Sequence, residues 1–139
     1  MRYSAVSDTF TCFVRGIPAP QGSKKGFVSG GHVNIVDVKS VSLKAWRYAI
    51  NNVLQDKWEG PPLEGAVSVE LHFLLLRPPS VSEKKRPYPS VMPDIDKLAR
   101  AALDAMTGIV FRDDAQVVTL YVKEVYAQES GLQLSARAR

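Results

Sequence analysis

Apolar and polar residues alternate along residues 67–75, where Val67, Val69, Leu71, Phe73 and Leu75 are interleaved with Ser68, Glu70 and His72. A period of two sends the apolar set to one side of the backbone, so this segment predicts a strand with one buried face. Residues 9–17 alternate in the same way and are rich in β-formers, predicting an earlier strand, and 117–126 and 132–136 predict two later ones. The period changes at Leu43, Trp46, Ile50 and Val53, spaced three, four and three apart as on the buried stripe of an amphipathic helix, with Ser40 or Ser42 as its cap. A second helix is predicted over 96–106 by Leu98, Ala102, Ala105 and Met106, stopping near Gly108.

Between these elements the chain is punctuated by proline and glycine. Residues 18–26 break the first strand, and 27–28 and 33–36 flank Ser29, Gly30, Gly31 and His32 as a hairpin. Residues 59–62 form a turn. Residues 77–93 are too rich in proline and charge for regular structure, and a loop of that length inside a compact domain is usually functional or disordered. No internal repeat is present. The expected architecture is a single α+β domain over residues 1–139, a mixed β-sheet packed against two main helices.

With 45% apolar residues the chain has material for a real core, and its 18 Lys and Arg against 14 Asp and Glu give a formal net charge of +4. Excess positive charge favours a polyanionic partner, although a generic solubilising surface has the same composition. Cys12 is the single cysteine, so no internal disulfide forms. Neither a signal-peptide pattern nor a run of eighteen apolar residues is found, and the expectation is a cytoplasmic protein without a membrane segment.

Against this basic background, acidic residues gather around the second helix: Asp94 and Asp96 at its start, Asp104 within it, and Asp113 and Asp114 beyond it. Converging carboxylates suit Mg²⁺, a hard cation that takes oxygen ligands. On a regular helix, Asp94 and Asp96 point about 200° apart, so they converge only if Asp94 precedes the helix and Asp96 is its N-cap. Asp113 and Asp114 follow a short segment that can return alongside the helix start. Neighbours on a strand face opposite ways, so only one of the two is expected to reach a metal. The residues alone also fit a plainer arrangement, with Asp96 as a helix cap, i,i+4 ion pairs among Asp96, Arg100 and Asp104, and a turn at 113–114. An EF-hand loop starting at Asp94 is excluded, because Ala99 and Ala105 stand where glycine and glutamate are needed. A sugar-nucleotide transferase is disfavoured because no nucleotide-binding βαβ unit accompanies the Asp-Ile-Asp.

The run from Asp94 through Asp96, Arg100 and Asp104 to Met106, followed by Asp113-Asp114-Ala115-Gln116-Val117-Val118, closely resembles the signature of the RusA family of Holliday junction resolvases. Residues 16–25, from Gly16 to Lys25, resemble the corresponding N-terminal loop of phage-type members more weakly. The resemblance implies a homodimeric, RusA-like fold and Mg²⁺-dependent nicking of four-way-junction DNA, with Mn²⁺ as the alternative ion and no organic cofactor. It also implies catalytic and metal-binding roles for Asp94, Asp96 and Asp114. The family's prototype has a functionally needed lysine where this chain has Arg100. A guanidinium keeps the charge but cannot donate a proton as an ammonium can, so a protein that binds junctions or other nucleic acid without cleaving them is the alternative. Lys97 is a substitute for that lysine. The candidate phosphate contacts are Lys24, Lys25, Lys84, Lys85, Arg86 and Lys97, with Tyr88 as a residue that stacks on a base or anchors its loop. Lys44, Arg47 and Arg112 fit ordinary solvated charge, and metal-activated water needs no histidine base, so His32 and His72 receive no role.

Overall fold

The computed structural model describes residues 8–22 and 34–139, with the first helix's side chains described from residue 41 onward. In chain order the elements are strand β1 (Phe10–Arg15), helix α1 (Asn34–Lys57), strand β2 (Val67–Leu76), helix α2 (Ile95–Met106), a 3₁₀ turn (Asp114–Gln116), strand β3 (Val117–Ala127) and strand β4 (Gly131–Ala138). The strands form one mixed sheet in the order β1-β4-β2-β3. The β1–β4 and β4–β2 pairs are antiparallel and the β2–β3 pair is parallel. This is the expected α+β architecture with two main helices.

The period-two segment of β2 behaves as its pattern requires. Val67, Val69, Leu71 and Phe73 are fully enclosed, and β4 adds Leu132, Leu134 and Ala136 from the adjacent strand. Helix α1 lays Trp46, Ile50 and Leu54 into this core, and α2 adds Leu98, Ala101, Ala102 and Met106. The small residues of α2 let the two helices pack closely against each other. At the start of β4 the fit is tight, because a Cβ on Gly131 would run into the carbonyl oxygen of Val14.

Helix α1 differs from the expectation at its start. Residues 27–33 of the expected hairpin lie outside the described residues, but 34–36 open the helix in place of a second strand. Ser40 and Ser42 consequently lie inside α1, and neither caps it. Ile35, Val36 and Val38 are β-branched and locally favour a strand, yet a helix already anchored by Trp46, Ile50 and Leu54 extends at little further cost.

Two features of this topology position the chemistry. Parallel neighbours need a crossover, and α2 supplies it between β2 and β3. The N-terminus of α2 therefore lies at the carboxyl ends of both strands, and its C-terminus lies at the end where β3 begins. The expected long loop, 77–93, has no helix or strand but is well pinned. The Arg77 guanidinium donates to the carbonyl oxygens of Ser82 and Arg86 and lies 4.3 Å from the centre of the Tyr126 ring, while Arg86 Nε donates to the Tyr126 hydroxyl at 3.0 Å. The Met92–Pro93 peptide bond that precedes α2 is cis.

Candidate active site

Asp94, and not Asp96, occupies the N-cap position of α2; Asp96 lies in the first turn. The helix begins one residue earlier than the sequence suggests because Asp94, in extended geometry (φ −72°, ψ 139°), already accepts the first backbone bonds. Lys97 N and Leu98 N both donate to the Asp94 carbonyl at 3.1 Å. The Asp94 side chain makes no capping hydrogen bond and is 55% exposed. Negative side chains at a helix N-terminus are favoured by the helix dipole even without a cap bond. Asp94 Oδ2 is 3.8 Å from Lys97 Nζ, and among the described residues this is the one ion pair that α2 makes. The i,i+4 pairs of Asp96 and Asp104 with Arg100 do not form; Arg100 projects from the exposed side of α2.

Two acceptor oxygens near this end are sealed from solvent without a donor. One is Oε1 of Gln21, whose backbone N–H donates to the Lys97 carbonyl at 3.0 Å and so ties the segment after β1 to the first turn of α2. The other is Oε2 of Glu124. In the parallel ladder Glu124 is paired with the buried Phe73, so its side chain stands on the face of the sheet that carries the helices. Burial pushes the Glu124 carboxyl above the usual carboxylate range, and the nearby Asp94 charge pushes it the same way. Glu124 was not among the residues that sequence reasoning selected. Its signal was an acid at a period-two position between Val122 and Tyr126.

Asp114 lies at the other end of α2. Together with Asp113, Asp104, Thr107, Arg47 and Arg112 it lines an open depression beside the helix C-terminus. The segment after α2 does not return to the helix start; it folds back under the last turn. Ile109 N and Val110 N donate to the Met106 carbonyl, Gly108 N donates to Phe111 O, and Val110 and Phe111 are fully buried. Residues available for a return are thus used in a compact turn. Asp113 caps the 3₁₀ turn by accepting from Ala115 N at 2.9 Å, which leaves Asp114 exposed as the member of the pair with a free carboxylate.

Gln116 fixes that turn to the rest of the protein. Its Oε1 accepts from the backbone N–H groups of Arg112 and Asp113 at 2.9 and 3.0 Å, and its Nε2 donates to the carbonyls of Leu63 and Gly65, each at 2.9 Å. The sequence carries a signal for it, since Asp followed three residues later by Gln is a capping-box pattern.

The 12 residues of α2, at 1.5 Å each, span about 18 Å, with Asp94 and Asp96 at one end and Asp114 towards the other. Among the described residues no three Asp, Glu, His or Cys side chains are gathered closely enough to enclose an ion. Of the candidate phosphate contacts, Lys84 and Lys85 are exposed, Lys97 is shared with Asp94, and Arg86 is half-buried against Tyr126. Lys24, Lys25 and His32 lie outside the described residues. Tyr88 is exposed, as are Val91, Met92 and Ile95 beside the acidic pair. His72 stands on the sheet face away from the helices, edge-on to Tyr121 with ring centres 5.6 Å apart. Arg112 lies 3.9 Å from Glu64. No described helix is long and apolar enough to cross a membrane.

Comparison with known proteins agrees with the acidic pattern. The chain is 26% identical over 133 residues to the uncharacterized protein YqaN of Bacillus subtilis (strain 168), covering 89% of this chain and 92% of that protein. The profile of the family described as "Endodeoxyribonuclease RusA" matches residues 17–136, a span that includes both ends of α2, Gln21, Gln116 and Glu124. On that match the chain belongs to the RusA endodeoxyribonuclease family.

Proposed function

We propose that this protein is a Mg²⁺-dependent, structure-selective endodeoxyribonuclease that resolves Holliday junctions by paired nicks. The observation that carries the reading is the family match over residues 17–136 with Asp94 and Asp96 exposed at the N-terminus of α2. The donor set suits the ion, because carboxylates are hard oxygen ligands. When bound, Mg²⁺ supplies a polarised water and neutralises charge on the phosphate. Asp94 and Asp96 hold it at the helix N-terminus, and Lys97 and Arg100 place positive charge along the same helix for the DNA backbone. The exposed Lys84 and Lys85 extend that charge over the 77–93 loop.

Asp114 enters this scheme through a second copy of the chain. Placed towards opposite ends of a helix about 18 Å long, Asp94 and Asp114 of one chain cannot share an ion whose ligands lie 2.0–2.1 Å from it. A two-fold pair in which the α2 helices run antiparallel brings the C-terminal end of one α2 against the N-terminal end of the other, and a homodimer is the assembly that matches a pseudo-two-fold junction.

The test is to incubate the protein with an end-labelled four-way junction and with linear duplex of the same sequence, with Mg²⁺ or with chelator. Metal-dependent paired nicks in the junction alone are expected. Tight binding without nicks supports the alternative, a junction-binding protein without cleavage. Arg100, at the position of the prototype's lysine, is the observation behind that alternative, and restored cleavage in Arg100→Lys would identify the guanidinium as the defect.

A further inference from the structure

Both helices lie on one face of the sheet, and the opposite face is a second surface that plays no part in the acidic site. It carries the residues between the core positions: Ser68 and Glu70 of β2 alternate with the enclosed Val67, Val69 and Leu71, and Arg137 of β4 follows the enclosed Ala136. Among the described residues no helix or strand covers this face, and Glu70, Thr119, Tyr121, Lys123 and Arg137 are all exposed. It is not flat. A depression of about 110 Å³ is lined by Ser68, Thr119, Tyr121, Ser135, Arg137 and Arg139, and the one acid among its described lining residues is Glu70.

The strand register sets how charge is distributed there. Arg137 stands opposite Ser68, which stands opposite Thr119, so one row across β4, β2 and β3 places a guanidinium beside two hydroxyls. The next row carries Ser135, Glu70 and Tyr121, and the Glu70 carboxylate lies 3.6 Å from Nε2 of His72, further along its own strand. Opposite charges set directly across strands would stabilise a face turned only to water. Among the described residues, however, neither Arg137 nor Arg139 has a carboxylate within ion-pair distance. Arg139 donates instead to the hydroxyl of Ser68 at 3.4 Å, which keeps a guanidinium at the floor of the depression. Guanidinium and hydroxyl donors grouped in this way suit phosphate oxygens. Tyr121 adds a second kind of contact, because it is 51% exposed, is braced edge-on by the His72 ring, and is followed on the same face by Lys123. Aromatic rings interleaved with cations on an open sheet hold unpaired bases and their phosphates.

We propose that this face of the sheet binds an unpaired DNA strand, with one phosphate held by Arg137, Arg139 and the surrounding hydroxyls and a neighbouring base stacked on Tyr121. A duplex keeps its bases paired and stacked, so the Tyr121 contact selects the unpaired strand. The site shares no residue with the acids around α2, and its occupancy does not depend on whether they bind metal.

The experiment is fluorescence anisotropy of a labelled oligothymidylate with the full-length protein in chelator, beside a duplex probe of the same length. The variants are Arg137→Ala with Arg139→Ala, Tyr121→Ala and Tyr121→Phe. All three positions are exposed, and melting temperatures close to wild type will show that the variants fold. Wild type is expected to bind the oligothymidylate. Loss of the two arginines should weaken that binding about tenfold or more and lower the slope of log affinity against log salt by about 0.7, the value for one phosphate of a single strand. Tyr121→Ala should weaken single-strand binding at least about fivefold and leave duplex binding unchanged, whereas Tyr121→Phe keeps the ring and should bind as wild type. Unchanged oligothymidylate binding without the two arginines overturns the site, as does a wild type that does not bind the probe. Equal losses for duplex and single strand in Tyr121→Ala overturn the unpaired-strand assignment. Dissociation of a dimer on removal of the arginines would overturn it too, by making this face a seam between two copies.

Discussion

Mixing two inactive variants is expected to restore cleavage. Oxygens that share one Mg²⁺ at 2.0–2.1 Å stand no more than about 4 Å apart. The ends of α2 are about 18 Å apart, and the short side chains of Asp94 and Asp114 cannot close that gap. If each centre combines Asp94 of one copy with Asp114 of the other, an Asp94→Asn homodimer and an Asp114→Asn homodimer each lack an intact site. Co-refolding equal amounts gives about half heterodimers, each with one intact centre and one that has lost both aspartates. The mixture should therefore nick at about a quarter of the wild-type rate per site, and every product should be a single nick. The assay is a junction with each strand labelled in turn, run on a denaturing gel, with the heterodimer isolated through different tags on the two variants. An isolated heterodimer as inactive as both parents would refute the two-copy site, because a site contained in one chain is damaged in every subunit.

Other outcomes follow from the site and its supports. Gln116→Ala removes four hydrogen bonds at a half-buried position and should lower stability by about 2 kcal/mol in denaturant titration, and Asp113→Ala should cost about 1 kcal/mol through its lost cap. Asp114→Asn should leave stability close to wild type while abolishing cleavage, so an equally destabilised Asp114→Asn would reverse the division of roles within the pair. Lys84→Ala with Lys85→Ala should weaken junction binding and reduce the slope of log affinity against log salt by about 2, and an unchanged slope would remove the loop from the DNA surface. Burial pushes the Cys12 thiol up from 9.0 to about 11. Below pH 9 both the folded and unfolded chains carry the thiol, and between 9 and 11 only the unfolded chain ionises, so stability should fall as pH rises through that window. In Cys12→Ser that part of the alkaline loss should disappear.

The sheet and α2 were legible because their apolar periods are long and uninterrupted. Val67 to Phe73 alternate without a break, and Leu98, Ala102 and Met106 repeat at helical spacing. Helix α1 was legible only from Leu43 onward. Its first turns are written in β-branched residues, and the packing of Trp46, Ile50 and Leu54 that overrides them is a property of the assembled core. The acidic residues were legible as chemistry but not as geometry. Whether residues 107–113 return to the helix start or fold under its end depends on Val110 and Phe111 being buried in the core, which no local pattern records. Glu124 was overlooked because a glutamate in an edge strand is ordinarily solvent-facing; its place beside Phe73 is set by the register of β3 on β2.

The length of α2 then acquires a metric meaning. If the proposed antiparallel two-fold pair forms, each helix begins at one centre and ends at the other, and the distance between the two cutting points is gauged by a rod of 12 residues. Lengthening that rod by one turn would move its ends about 5.4 Å further apart, and a single inserted residue would also rotate one end about 100° against the other. The clamp made by Gln116 holds the far end of the rod to the body of the protein, so the calibration does not drift with the turn that carries Asp114. Variation in helix length would therefore select among branched DNAs by the spacing of their strands, without altering any residue that touches a base.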